Sequence, residues 1–276
     1  MIFRRHIPAE PLARFIEFFW FYEDLYPNHS REHVLPDGTF ELIIDLRETP
    51  RKLFDREDWN RFTPFRRGWL SGAHSEYIII DALPASSMIG AHFRPGGAAA
   101  VLGLPANEMC DQVVELDAFW GDDAWDLREQ LLAARGSDAK FHLLEKFLLS
   151  RLRRNKTNEA SQRKISWALE RFSADPHALT IRSAAHQLGV SHKHFIEQFR
   201  RQVGLTPKLF CRVQRFQHVL SRINSRQMVE WADVACACGY FDQAHFANDF
   251  RAFSGLNPTA YLSHNVEYPN FVPVDD

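Results

Sequence analysis

The chain of 276 residues contains no apolar run approaching the roughly 20 residues that a membrane span requires. Its most apolar stretch, Phe15 to Tyr22, is short and runs straight into Glu23 and Asp24. The opening "MIFRRHIPAEP" has neither the apolar core nor the small-residue cleavage site of a signal peptide, so the expected address is cytoplasmic, with no membrane partner. Cysteine is scarce. Cys110, Cys211, Cys236 and Cys238 show neither zinc-ligand spacing nor a disulfide framework, and the expectation is small, buried, reduced thiols. His33, His74 and His92 lack tight ligand spacing, so no metal is expected. A phosphate loop, a Ser/His/Asp constellation and paired catalytic carboxylates are also missing. The chain does not read as an enzyme, and no cofactor is expected.

Charge of one sign is missing only in the total. The net charge of -2 conceals a basic segment: residues 161–264 hold 13 Lys and Arg against 7 Asp and Glu, whereas residues 1–160 hold 20 against 25. A basic C-terminal third points to a polyanionic partner.

The polar, aperiodic stretch "RRNKTNEASQ", Arg153 to Gln162, separates two differently patterned regions. Upstream, "TFELIIDL" follows the turn pair Asp37 and Gly38, "EYIIIDAL" is rich in β-branched and aromatic residues, and "SSMIGAHF" stops at the breaker "RPGG"; all three read as strands. Helices are expected at 123–134 and 139–153, the second from the spacing of Phe141, Leu144, Leu148 and Leu152. Downstream nearly everything reads as helix, with caps at Thr180, Ser191, Thr206, Asp242 and Asn257. The expected fold is α+β: a β-rich domain at 1–155 closed by a helical pair, an all-α domain at 156–264, and a tail at 265–276. Each domain is large enough to bury its own core.

The helical region repeats itself. In "LGVSHKHFIEQFRRQVGLTP" and "GYFDQAHFANDFRAFSGLNP", His194, Phe195, Phe199, Arg200, Gly204, Leu205 and Pro207 fall on His245, Phe246, Phe250, Arg251, Gly255, Leu256 and Pro258 at a constant offset of 51. Each copy is a short helix, a glycine turn and a second helix, which is the helix-turn-helix outline. Paired phenylalanines four apart share one face and lock the second helix inward, leaving a polar face outward. Val213, Phe216 and Leu220 mark a long helix joining the copies. Two reading helices held by one connector suit successive major grooves about 34 Å apart.

On "AAHQLGVSHKHFIEQFRRQVGLTPKLF" and "VACACGYFDQAHFANDFRAFSGLNPTAYL", segment 161–264 resembles the DNA-binding domain of the AraC family of bacterial transcription regulators. The resemblance implies a sequence-specific regulator of promoter DNA, more often an activator working through RNA polymerase than a repressor. It also carries over the base-facing positions: Lys193, Ile196 and Glu197 in the first copy, and Gln243, Ala244, Ala247 and Asn248 in the second. Gln243 and Asn248 have the groups to pair with adenine, Lys193 with guanine and Glu197 with cytosine, while Ala244 or Ala247 suits a thymine methyl. Ile196 departs from the polar residue often found there, and Glu197 repels phosphate. Arg200, Arg201 and Arg251 suit phosphate, where they strengthen binding without choosing sequence. His194 and His245 read as packed or capping side chains.

The N-terminal region resembles the β-rich domain of a subset of AraC-like regulators, on "FIEFFWFYE", "HVLPDGTFELIIDL", "GAHFRPGGAAAVLGLPANEMCDQVVEL" and "FWGDDAWDLREQLL". Phe18, Phe19, Trp20, Trp59 and Trp69 either line a small-molecule pocket or fill the core. Arg94 either holds an anionic effector group or pairs with Asp37 or Glu41. Arg94, Trp20 and Glu41 are the candidate effector residues. Helices 123–134 and 139–153 present Leu127, Leu131, Phe141, Leu144 and Leu148 either to a second copy of the chain, as a homodimer surface, or to the sheet. Two other readings are an alkylation-repair enzyme fused to a DNA-binding module, for which Cys110 is the lone candidate nucleophile, and an adaptor whose repeats no longer bind DNA.

Overall fold

The computed structural model describes residues 1–155, 159–176, 179–223, 230–264 and 270–274. The β-rich part forms two antiparallel sheets. One contains β1 (Ile2–His6), β2 (Ile16–Leu25), β4 (Glu41–Asp45), β7 (Gly68–Ser71), β9 (Ser86–Phe93) and β10 (Val113–Glu115), in the order β1-β2-β9-β4-β7-β10. The other contains β3 (Arg31–Val34), β5 (Arg51–Phe54), β6 (Phe62–Phe65), β8 (Ile78–Asp81) and β11 (Phe271–Val274), in the order β11-β3-β8-β5-β6. The three strands expected from the sequence are β4, β8 and β9. The central β9 is buried almost throughout, its serines Ser86 and Ser87 included, because both of its faces are covered.

Strand alternation divides β2 between two environments. Phe19 and Phe21 are buried on the helix side, where His6 stacks between Phe19 and Phe141. Phe18, Trp20 and Tyr22 point toward the second sheet and are half-buried. Between the sheets, the buried Arg51 donates to Asp45 Oδ2 (3.1 Å) and Ser86 Oγ (2.7 Å) and lies 3.8 Å from Asp81 Oδ1. Burial pushes both carboxyls above their ordinary range, and the Arg51 charge opposes that shift.

Helices α1 (Ala98–Leu102), α2 (Asp117–Trp120), α3 (Asp122–Ala133) and α4 (Ser137–Arg154) follow β9 and β10. Lys140, near the start of α4, turns back and donates from Nζ to the Leu131 and Ala134 carbonyls, satisfying groups that the end of α3 leaves open. Leu127, Leu131, Phe141, Leu144 and Leu148 are at most 3 % exposed. They belong to the chain's own core, which corrects the dimer-surface reading of helices 123–134 and 139–153: amphipathic spacing says that a face is covered, but not by what.

The remaining helices are α5 (Glu159–Ala174), α6 (Ile181–Gln187), α7 (His192–Val203), α8 (Pro207–Ile223), α9 (Trp231–Ala237), α10 (Gln243–Ser254) and α11 (Pro258–Ser263). Residues 156–158, Val229, where a helix running to Cys238 is expected to begin, and much of the expected tail lie outside the described residues. Within that tail, Phe271–Val274 pairs with Val34–Arg31 as β11, so this part of the chain is an edge strand of the second sheet.

Most of the buried apolar residues form one continuous cluster, from Leu12 through Phe172 and Phe216 to Val272, in place of two separate cores. Two side chains of α8 hold the turn before β4: Gln214 donates to the Asp37 carbonyl and Gln217 to the Pro36 carbonyl, both at 2.8 Å. Gly38 has φ +86°, and a Cβ there would press on the Phe210 ring at 3.0 Å. At the far end of the repeat, His33 Nδ1 donates to the Ser254 carbonyl (2.8 Å). Gly255, at φ +76°, leaves no room for a side chain beside Tyr77 and His33.

Candidate nucleic-acid interface

Every helix of the repeat except α9, whose N-cap residue Glu230 makes no side-chain capping bond, starts on a side-chain cap. Ser191 Oγ accepts from His194 N (3.2 Å) at the start of α7, and Asp242 Oδ1 accepts from His245 N (2.7 Å) at the start of α10. Thr180, Thr206 and Asn257 cap α6, α8 and α11 in the same way. The glycines that follow α7 and α10 both have positive φ.

The apolar faces then lock together. In the first copy Phe195, Phe199, Phe172 and Phe210 form a chain of rings with centroids 5.7–6.5 Å apart. In the second, Phe250 packs against Phe216, Phe246, Trp231 and Tyr261. The connecting α8 contributes Phe210 to the first cluster and Phe216 to the second, so one helix seats both α7 and α10. A polar clasp adds to the second seat. Asp249, 3 % exposed, accepts from Arg212 Nη2 (2.6 Å) and Nε (3.2 Å), with His245 Nε2 at 3.8 Å. Sequence reasoning missed this pair; its one signal was an acid lying among the anchoring phenylalanines.

The outward faces carry the expected side chains. Lys193 and Glu197 on α7, and Gln243, Ala244, Ala247 and Asn248 on α10, are all exposed. Ile196 is half-buried, partly drawn into the apolar seat. Arg200, Arg201 and Arg251 are exposed. His194 is exposed, contrary to a packed role, whereas His245 is half-buried with its ring edge-on to Tyr240. Arg251 also lines a cleft of about 500 Å³ whose other wall carries Asp55, Glu57 and Glu76.

Residues 184–264 match the family model of a helix-turn-helix domain. These residues thus form an AraC-type helix-turn-helix domain, spanning both copies of the repeat. Residues 4–115 match a family described as a domain of unknown function (DUF6597). No curated protein matches the chain. Among solved structures, ToxT from Vibrio cholerae O395 is 11 % identical, with 94 % of this chain and 96 % of that chain covered and a TM-score of 0.45. Unsaturated fatty acid bound ToxT from Vibrio cholerae is 10 % identical, covering 94 % of each chain at a TM-score of 0.44. An AraC-type regulator from Chromobacterium violaceum is 21 % identical over 37 % of this chain and 92 % of that one, at 0.34.

In the N-terminal part of the chain, two of the three candidate effector residues meet and one does not. Trp20 Nε1 donates to Glu41 Oε1, and the other Glu41 oxygen lies 3.0 Å from His92 Nδ1. Asp37 Oδ2 stands 3.7 Å from the other His92 nitrogen, and the Phe18 ring stacks on the imidazole. Arg94 instead donates to the Ala13 carbonyl (2.9 Å) at the surface; the expected pairing with Asp37 or Glu41 is not made, because His92 occupies both acids. Sequence spacing gave no hint of His92 as their partner.

Burial alone would lower the His92 pKa, but the Glu41 and Asp37 charges outweigh it and raise it to about 9 from an ordinary 6.5. A folded pKa above the unfolded one contributes stability that is complete below about pH 6.5 and lost as pH rises through 9. The free energy of urea unfolding is therefore expected to fall between pH 6.5 and 9.5 by an amount on the order of 2–3 kcal/mol, and the fall should flatten in Glu41→Gln.

His33 and His74 end elsewhere, on the Ser254 carbonyl and on Ser71 Oγ (2.9 Å). Among the described residues no group of three or more His, Cys, Asp or Glu side chains is placed to hold a metal, and no helix is long and apolar enough to cross a membrane. The thiols do not all conform to the buried expectation: Cys211 and Cys238 are buried, Cys110 is half-buried and Cys236 is exposed. Burial and the neighbouring Asp111 carboxylate push the Cys110 thiol up to about 12, which disfavours the nucleophilic thiolate.

Proposed function

We propose that the chain is a transcription regulator that reads promoter DNA with α7 and α10 and activates transcription through RNA polymerase. The observation that carries this reading is the two-faced build of α10. Its inner face is fixed by Phe246, Phe250 and the Asp249–Arg212 clasp, while Gln243, Ala244, Ala247 and Asn248 stand exposed on the other. A helix held this firmly offers base-reading groups at little further cost in ordering. Lys193 and Glu197 contribute the reading from α7, with a smaller share for the half-buried Ile196. Arg200, Arg201 and Arg251 supply phosphate contacts.

In this reading the chain divides into a sensing unit, 1–155, and a DNA-binding unit, 156–264, and acts in the cytoplasm. The sensing unit takes a small molecule between the sheets, against Trp20 and Glu41. Support comes from the half-buried Phe18, Trp20, Glu41 and His92, whose polar groups a ligand can engage. The Pro36–Asp37 turn, beside His92 and held by Gln214 and Gln217, gives such a ligand a physical link to α8.

Selection of bound fragments from genomic DNA by the full chain, with and without cell metabolites, tests both parts. Enrichment of a shared site supports reading by the repeats, and a metabolite-dependent change supports sensing. Recovery of random fragments contradicts the first, and indifference to every metabolite contradicts the second.

A further inference from the structure

The two copies of the repeat keep an offset of 51 only from their caps onward. Before the caps the offset is 50: Gly189 matches Gly239, and Val190 and Tyr240 make the same turn bond, donating to the Ala185 carbonyl (3.1 Å) and the Ala235 carbonyl (2.9 Å). Ser191 and Asp242 then cap the next helix. The second turn is therefore one residue longer, and the additional residue is Phe241.

Its side chain is 94 % exposed, the most exposed large hydrophobic residue among those described. The residues on either side are fixed. Tyr240 is buried with its ring edge against Phe246, and Asp242 is held by its capping bond. The chain thus holds an apolar ring out in water at the N-terminal tip of α10, next to Gln243 and Ala244. Exposed aromatic surface of this size is normally withdrawn into the fold. The outward methyls of Ala244 and Ala247 extend the same apolar strip along the face of the helix.

We propose that Phe241 is a specificity-determining DNA contact that reads the C5-methyl group of a thymine at the edge of the site read by α10. The assignment rests on α10 being a reading helix. The N-terminal tip of such a helix is the part that meets base edges, and the thymine methyl is the apolar feature of the major groove. A phenyl ring makes no hydrogen bond there, so its selectivity is for the methyl itself and depends little on salt, unlike a phosphate contact.

The test uses the full chain and its selected DNA site, with each thymine replaced in turn by deoxyuridine, which lacks only that methyl. For the natural protein, one replacement should weaken binding about fourfold, the value of one buried methyl. Phe241→Ala should bind the thymine site roughly tenfold more weakly and be indifferent to that same replacement. Thermal unfolding of Phe241→Ala should match the natural protein, because the ring packs on nothing. Equal affinity of Phe241→Ala and the natural protein would overturn the proposal, as would undiminished sensitivity of the variant to every deoxyuridine. Gln243→Ala, run alongside, separates the two layers. A changed base preference in Gln243→Ala with no effect of Phe241→Ala removes only the Phe241 assignment, whereas no effect of either removes α10 as a reading helix.

Discussion

Arg212→Ala is expected to destabilise the protein by about 3–5 kcal/mol and to abolish specific DNA binding, although Arg212 is not itself a base-reading residue. The size follows from which partner is left behind. Asp249 is 3 % exposed, so removing the guanidinium strands a carboxylate that water cannot reach. The reverse change is milder: Asp249→Asn keeps an acceptor, and the arginine, with a third of its side chain exposed, regains water. About 1–2 kcal/mol is expected for that variant. Replacing both, as Arg212→Met with Asp249→Leu, should recover much of the loss, since an apolar pair of similar volume removes the stranded charge. Urea unfolding of the three proteins checks this order. Equal losses in all of them would mean that the clasp does not hold α10.

The second large effect divides the exposed face of the repeat by chemistry. Gln243→Ala should lose about 1–3 kcal/mol of discrimination at one or two base pairs and little elsewhere, because a bidentate amide reads a base edge. Arg251→Ala should weaken all sequences nearly equally and make the dependence of affinity on salt shallower by about one phosphate. The acids across the cleft from Arg251 bear on this result. Asp55, Glu57 and Glu76 oppose a DNA phosphate arriving there, so Arg251 also offsets their repulsion. Sequence-preference profiles of the two variants, measured by bound-site selection, separate the roles. Identical profiles would contradict the division.

What the sequence made legible was local. Helix caps at Ser191, Asp242 and Asn257 and the paired phenylalanines lie within a few residues of what they act on, so spacing predicts them. The strands Glu41–Asp45, Ile78–Asp81 and Ser86–Phe93 were legible because β-branched runs bounded by turns have few alternatives.

The polar pairs were not legible. His92 with Glu41, Arg51 with Asp45 and Asp81, and Arg212 with Asp249 join different elements, and periodicity does not encode which element lies opposite. The same limit explains why the apolar faces of α3 and α4 suited a partner chain as well as the sheet, and why Phe271–Val274 passed for a tail. It also explains the single core. The amphipathic pattern of α8 tells that Phe210 and Phe216 are buried, but not that Gly38 and the Pro36–Asp37 turn close over the helix.

The most direct measurement of the central claim is the affinity of the full chain for its selected duplex, compared with a scrambled duplex, as salt rises from 50 to 200 mM. Recognition through two helices with phosphate contacts from Arg200, Arg201 and Arg251 predicts a steep linear fall of log affinity with log salt. It also predicts a preference for the selected site of at least about a thousandfold at a given salt. Affinity that ignores salt, or that is equal for the two duplexes, would contradict it.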